Sequence, residues 1–132
     1  MMDAFRVMRH MYPDLTEALF QDHLASMVHR GYSMLGVVKE QVPGYVGVAG
    51  YWIGYRLYCG KYIQVDNLVI LPEHRGQGVG KLIMDEIKVI GHEEQCKRVL
   101  LDSYVENFEA HRFFYREGFI ARGYHMNYLF DE

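Results

Sequence analysis

Long apolar runs are missing from this chain of 132 residues. No window approaches the roughly 18 apolar residues of a membrane-spanning helix. The opening Met1-Met2-Asp3-Ala4-Phe5-Arg6 lacks the basic-then-apolar order of a secretory leader. Cysteine is scarce: Cys59 and Cys96 are the two present, far apart and outside any CxxC pair. One bridge at most is no disulfide framework, and both read as reduced thiols of a cytoplasmic protein. With three prolines and no low-complexity stretch, collagen-like and linker-like readings fall away. An excess of basic charge is missing too. Fourteen basic side chains face 17 acidic ones, a net charge of −3. That argues against a nucleic-acid partner, whose phosphates demand a cationic surface, and leaves room for a small cationic substrate.

What is present is the composition of a globular domain: 50% hydrophobic, 14% aromatic and 23% charged. The length suits one domain over residues 1–132. Pro13-Asp14-Leu15-Thr16-Glu17 is a helix-start signal with Asp14 placed to cap, and Leu19, Phe20, Leu24, Met27 and Val28 recur at helical spacing before Gly31. A helix is therefore expected over residues 12–31. Residues 33–39 and 45–55 read as strands joined in a hairpin, with Pro43-Gly44 ordered as a type II turn prefers. A third strand runs over 62–71 and ends at Pro72. A helix over about 79–92 has Val79, Ile83, Ile87 and Ile90 on one face and Lys81, Asp85 and Lys88 on the other. Then come a strand over 98–104, a short helix over 107–117 stopped by Gly118, and one or two strands within 119–130. Residues 1–11 are ambiguous, a short edge strand at Phe5-Arg6-Val7-Met8 being one option. Helices alternate with strands only in the second half. An α+β domain follows, with a mixed central sheet, antiparallel early and parallel later, and helices on both faces in α/β/α layers.

One segment carries chemistry. Arg75-Gly76-Gln77-Gly78-Val79-Gly80 lies between a strand and a helix. Such a turn bares backbone N–H groups at the positive end of a helix, and glycines let an anion approach. It is a phosphate site in outline. A Walker loop is excluded, because Arg75 stands at its first glycine and Leu82 at its hydroxyl position. A Rossmann fingerprint is excluded, because Lys81 takes the place of its last glycine. Arg/Gln-x-x-Gly-x-Gly/Ala is satisfied by Arg75, Gly78 and Gly80.

This pattern resembles the acyl-CoA loop of the GNAT superfamily of N-acetyltransferases. The likeness extends to residues 67–75, similar to that family's central strand and its proline lead-in. It continues through Leu101-Asp102-Ser103-Tyr104 and through Asn107, Ala110, Phe114-Tyr115 and Gly118-Phe119, similar to its last core strand and following helix. The resemblance covers residues 12–130. It implies acetyl transfer from acetyl-CoA to a primary amine, with both substrates bound together and direct attack, the acceptor being a small amine. Backbone N–H groups of Gly76, Gln77, Gly78, Val79 and Gly80, with Arg75, would grip the pyrophosphate. Leu68, Val69 and Ile70 would splay from a parallel neighbour and offer their backbone to the pantetheine, one N–H stabilising the oxyanion. Tyr115 takes the position of the acid that meets the leaving thiolate. Asn107 caps its helix and would also touch the pantetheine arm.

The base stays open between Asp66, Asp102 and water. Asp66 shares a strand face with Gln64 and Leu68 by the two-residue period, and Asp102 one with Leu100 and Tyr104. Aspartate is disfavoured inside strands, so each has a reason to be there. Neither cysteine lies in a matched motif, which disfavours a covalent cysteine route. Two other functions remain: a CoA-binding sensor without turnover, and acetylation of a protein N-terminus or lysine. His92-Glu93-Glu94-Gln95-Cys96 falls short of HExxH, so no metal is expected. Tyr51, Trp52, Tyr55, Tyr58 and Tyr62 crowd the hairpin. They read first as strand packing or a homodimer surface, and second as a cation–π wall for an amine.

Overall fold

The computed structural model describes residues 2–130. They fall into two compact units, one up to Leu101 and one from Asp102 onward. The first holds α1 (Met2–Met8), α2 (Glu17–His29), β1 (Ser33–Val37), β2 (Gly47–Arg56), β3 (Gly60–Ile70), a 3-10 turn (Pro72–His74), α3 (Val79–Glu93) and β4 (Arg98–Leu101). The second holds α4 (Phe108–Arg116). The sheet has the order β1-β2-β3-β4, with the first three strands antiparallel and β4 parallel to β3. The mixed sheet expected from the sequence is the one observed.

Helices cover both faces of this sheet. On one face Ala4, Val7 and Met8 of α1 and Phe20 and Leu24 of α2 join Tyr32, Val48, Val69 and Leu71 in one buried cluster. On the other, α3 turns its buried Val79, Ile83, Met84 and Ile87 inward, and Gly91 lies against Ile63. Ile90 is only half-buried, while Lys81, Asp85 and Lys88 are exposed as their spacing predicts.

Four local expectations are corrected. Residues 5–8 lie in a helix, not an edge strand. Ala4, Val7 and Met8 stand at the i, i+3, i+4 spacing that buries one helical face, which outweighs the short apolar run. The helix placed over 12–31 begins at Glu17. Thr16, not Asp14, caps it by accepting from Leu19 N at 3.1 Å. Residues 119–130 form no strand, and the strand expected over 98–104 stops at Leu101. Apolar residues at 124, 126, 128 and 130 have the strand period, yet all four are exposed and no ladder among the described residues includes them. A strand exists only with a neighbour to bond.

The stops of α2, α3 and α4 share one chemistry. After α2, Tyr32 N donates to Met27 O and Gly31 N to Val28 O, with Gly31 at φ 105°. After α4, Phe119 N donates to Phe114 O and Gly118 N to Tyr115 O, with Gly118 at φ 94°. Each is a Schellman cap. The Phe114 and Phe119 rings, 5.9 Å apart, supply the apolar contact that accompanies such a cap. The third, after α3, puts Gln95 rather than glycine at φ 61°.

Candidate active site

The parallel ladder between β3 and β4 runs from Tyr62↔Arg98 to Val65↔Leu101 and ends there. From Asp66 to Ile70, β3 pairs only with β2. A bulge sits at the changeover. Val48 pairs with Val69 and Gly50 with Asp66, so Asn67 and Leu68 together oppose Ala49. Asn67 takes φ 58°, the left-handed conformation that asparagine tolerates better than most residues. The extra residue inverts the alternation. Before it, Ile63 faces α3. After it, Val69 and Leu71 enter the α1–α2 cluster, and Ile70 lies beside Val79. The face-sharing of Asp66 and Leu68 expected from a two-residue period is therefore corrected: they point to opposite sides. The segment expected to splay, Leu68, Val69 and Ile70, has no strand partner on the β4 side within the first unit, though Ile70 O accepts from Arg75.

The glycine turn follows directly. Gly76 has φ 75° and Gly78 φ 83°, ψ 7°, and a methyl group added at either would meet no other atom within 4 Å. Gly78 is the N-cap of α3, and the first helical bond runs from Leu82 N to Gly78 O at 3.0 Å. The amides of Val79 and Gly80 thus have no acceptor inside the helix. The open space at both glycines, the helix start and the left-handed backbone suit a diphosphate. Arg75 is exposed, and its Nε donates to Ile70 O at 3.3 Å, tying the loop to the end of β3. Gln77 Nε2 donates to Glu73 O at 3.3 Å. Lys39, from beyond β1, donates to Gln77 Oε1 and stands 3.5 Å from His74 Nδ1. That puts a second cation beside the loop, which sequence reasoning missed; its partners lie 35 and 38 positions away, so no local pattern marks it.

Asp66 is half-buried and accepts from Trp52 Nε1 at 3.0 Å. The Trp52 ring lies 5.2 Å from that of Tyr32. Tyr32 donates to Asn67 Oδ1 at 2.9 Å, and Asn67 Nδ2 donates to Tyr12 Oη at 2.8 Å. Burial, then the charge of Asp66 and then Tyr12, push the Tyr32 phenol well above its ordinary range. Tyr32 and Tyr12 were also missed. The one sequence signal was Asp66-Asn67 amid apolar strand residues, unfavourable unless a bulge or a site is present.

The remaining site candidates belong to the second unit. Asn107 caps α4, its Oδ1 accepting from Ala110 N at 3.2 Å. Tyr115 lies in the last turn of α4 and is 57% exposed. Asp102 lies just past β4, so the strand face it was expected to share is absent. Its Oδ2 stands 3.2 Å from His125 Nδ1, and both side chains are more than half exposed.

A family model described as the acetyltransferase (GNAT) family matches residues 2–119. The chain belongs to this family. Among curated relatives, it is 30% identical over 63 residues to a thialysine N-epsilon-acetyltransferase of Bos taurus, a match covering 48% of this chain and 37% of that one. The chain spans about a third to a half of the length of the curated relatives it matches. Among solved structures, an acetyltransferase of Trypanosoma brucei superposes with a TM-score of 0.79 at 20% identity, covering 97% of this chain and 91% of that one. AAC(6')-Iy, solved with a CoA-S-monomethyl-acetylneamine bisubstrate analogue, gives 0.81 at 17% identity, with 98% and 90% covered. At such identities these structures speak for the fold. The GNAT likeness of the glycine loop and the α4 motif thus coincides with a match along most of the chain.

Proposed function

We propose that this GNAT chain transfers an acetyl group from acetyl-CoA to a primary amine, by direct attack with both substrates bound. The glycine turn carries the reading: two left-handed glycines open toward solvent at the start of α3, next to a strand paired on one side only. The amides of Gly76, Gln77, Gly78, Val79 and Gly80 hold the pyrophosphate of CoA, with Arg75 adding charge. The open edge of Leu68, Val69 and Ile70 receives the pantetheine, and one of its N–H groups faces the thioester oxygen, where negative charge develops.

Asp66 is the favoured base over Asp102. It is half-buried and held by Trp52, whose ring packs 5.2 Å from that of Tyr32, whereas Asp102 is exposed and paired with His125. Tyr115 as the acid, Asn107 as a pantetheine contact, and a single domain built from both units rest on the family resemblance. The acid supplies a proton or a hydrogen bond to the leaving thiolate, whose thiol has an ordinary pKa of about 8.5.

Thermal melting with acetyl-CoA, together with thiol release in the presence of amines, tests this. At 100 times its Kd the ligand stabilises by about 2.7 kcal/mol. A melting point that acetyl-CoA leaves unmoved refutes the reading at its first step.

A further inference from the structure

We infer that the acceptor is a primary amine carrying an apolar body, seated between the α1–α2 connection and the sheet. This rests on the acetyl-transfer reading above and adds the class of the amine. A half-open cavity of about 550 Å³ lies there, within the range of small-molecule sites. Its walls are mostly thioether and hydrocarbon: Met8, Met11, Leu24, Met27 and Met34 among them.

Its polar groups are few: Tyr12, Tyr32 and Asn67, bonded to one another, and Asp14 and His23 on the exposed rim. The Tyr32 proton goes to Asn67, and an Asn67 amide hydrogen goes to Tyr12. A polyhydroxylated amine would bring hydroxyls that find no partners on methionine and leucine, and each such group is expensive to bury. An alkyl or aryl body loses water on both sides of the contact and gains.

The cavity is also polarised. Asn67 lines it and immediately precedes Leu68, the start of the open strand segment. The Asp66 carboxylate is held by Trp52, whose ring lies 5.2 Å from that of Tyr32 on the cavity wall. The amine therefore lies at the Tyr12–Asn67 end, with the body toward α2. In the transfer, the nitrogen lone pair forms the C–N bond to the acetyl carbon. The C–S bond breaks with its pair to sulfur, and the proton lost from nitrogen ends on the thiol or in water. The products are an N-acetyl amide and CoA. Four flexible methionines in the wall adapt to different shapes, so a range of apolar amines is accepted rather than one.

The test is thiol release from acetyl-CoA by the purified chain with butylamine, hexylamine, 2-phenylethylamine, glucosamine, spermidine and a short peptide with a free N-terminus. Acetyl-CoA melting is run in parallel. The expected result is kcat/KM rising about fourfold per methylene along the alkyl series, and 2-phenylethylamine exceeding glucosamine by about 100-fold or more. Met27→Trp, which fills the cavity, raises KM for 2-phenylethylamine about tenfold and keeps the acetyl-CoA melting shift. Leu19→Ser, on the 46% exposed rim, carries the test if the tryptophan variant does not fold, and flattens the apolar preference several-fold. Equal or better turnover of glucosamine, spermidine or the peptide overturns the inference and leaves acetyl transfer standing. So does an acetyl-CoA shift with no turnover of any apolar amine, or unchanged kinetics in both variants. Absence of any acetyl-CoA shift overturns the transfer reading and this one together.

Discussion

Gly78 offers the sharpest perturbation, because one atom there reports both backbone strain and anion binding. At φ 83° and ψ 7° it is left-handed, and a side chain on it meets nothing within 4 Å. The penalty for Gly78→Ala is then conformational and not steric, about 1–2 kcal/mol. For a chain of this length 1 kcal/mol is about 3–4 °C in Tm, so the alanine variant melts about 3–8 °C lower. Gly78→Glu carries the same strain and adds a carboxylate at the mouth of the loop, where the phosphates are proposed to sit. Acetyl-CoA at 100 times its Kd raises the parent's Tm by about 10 °C, from about 2.7 kcal/mol of binding. In Gly78→Glu that increment disappears, while the ligand-free Tm matches the alanine variant within a few degrees. The assay is a thermal melt by circular dichroism with and without acetyl-CoA. A full ligand shift in Gly78→Glu refutes the phosphate assignment. An alanine variant that melts with the parent refutes the strain argument.

Four more outcomes are expected. A methyl on Gly50 would overlap the Tyr32 ring, which is 4% exposed and bonded to Asn67. Gly50→Ala should therefore lose about 3 kcal/mol in urea unfolding, and a loss under 1 kcal/mol contradicts the packing described. The folded-state pKa of Tyr32 is raised above the unfolded value near 10. Its stabilising effect is intact below about pH 10 and fades as pH climbs toward the folded value, by up to about 1.4 kcal/mol per unit. Tyr32→Phe removes that decline between about pH 10 and 12 in urea midpoints, and an identical slope counts against it. Gln95→Gly, relieving the left-handed cap of α3, should gain about 0.5–1 kcal/mol. Tyr115→Phe should keep the acetyl-CoA shift and slow turnover about 100-fold or more; normal turnover removes Tyr115 from the acid role.

The glycine turn, the amphipathic α3 and the caps at Gly31 and Gly118 were legible because each is written within a few residues. Backbone conformations that only glycine adopts easily, and one apolar stripe per helix, are local properties. The candidate site was drawn from the same local signals: Arg75 through Gly80 from spacing, and Tyr115 and Asn107 from a motif. The phase of β3 was not legible, since the bulge at Asn67 is decided by what β2 and Tyr32 present across the sheet. Neither was the failure of residues 119–130 to form a strand, because alternation in a sequence says nothing about whether a neighbour is there to bond.

By itself, then, the chain's order of residues marked α2, α3, α4, the four strands and the glycine turn, through patterns only a few residues long. Tertiary structure decided the rest. It opened β3 beyond Val65, set Asp66 and Leu68 on opposite faces, brought Lys39 to Gln77, and joined Tyr12, Tyr32 and Asn67 across as many as 55 positions. Those contacts arise only when distant segments pack, because desolvation and hydrogen bonding act between neighbours in space, whatever their separation along the chain.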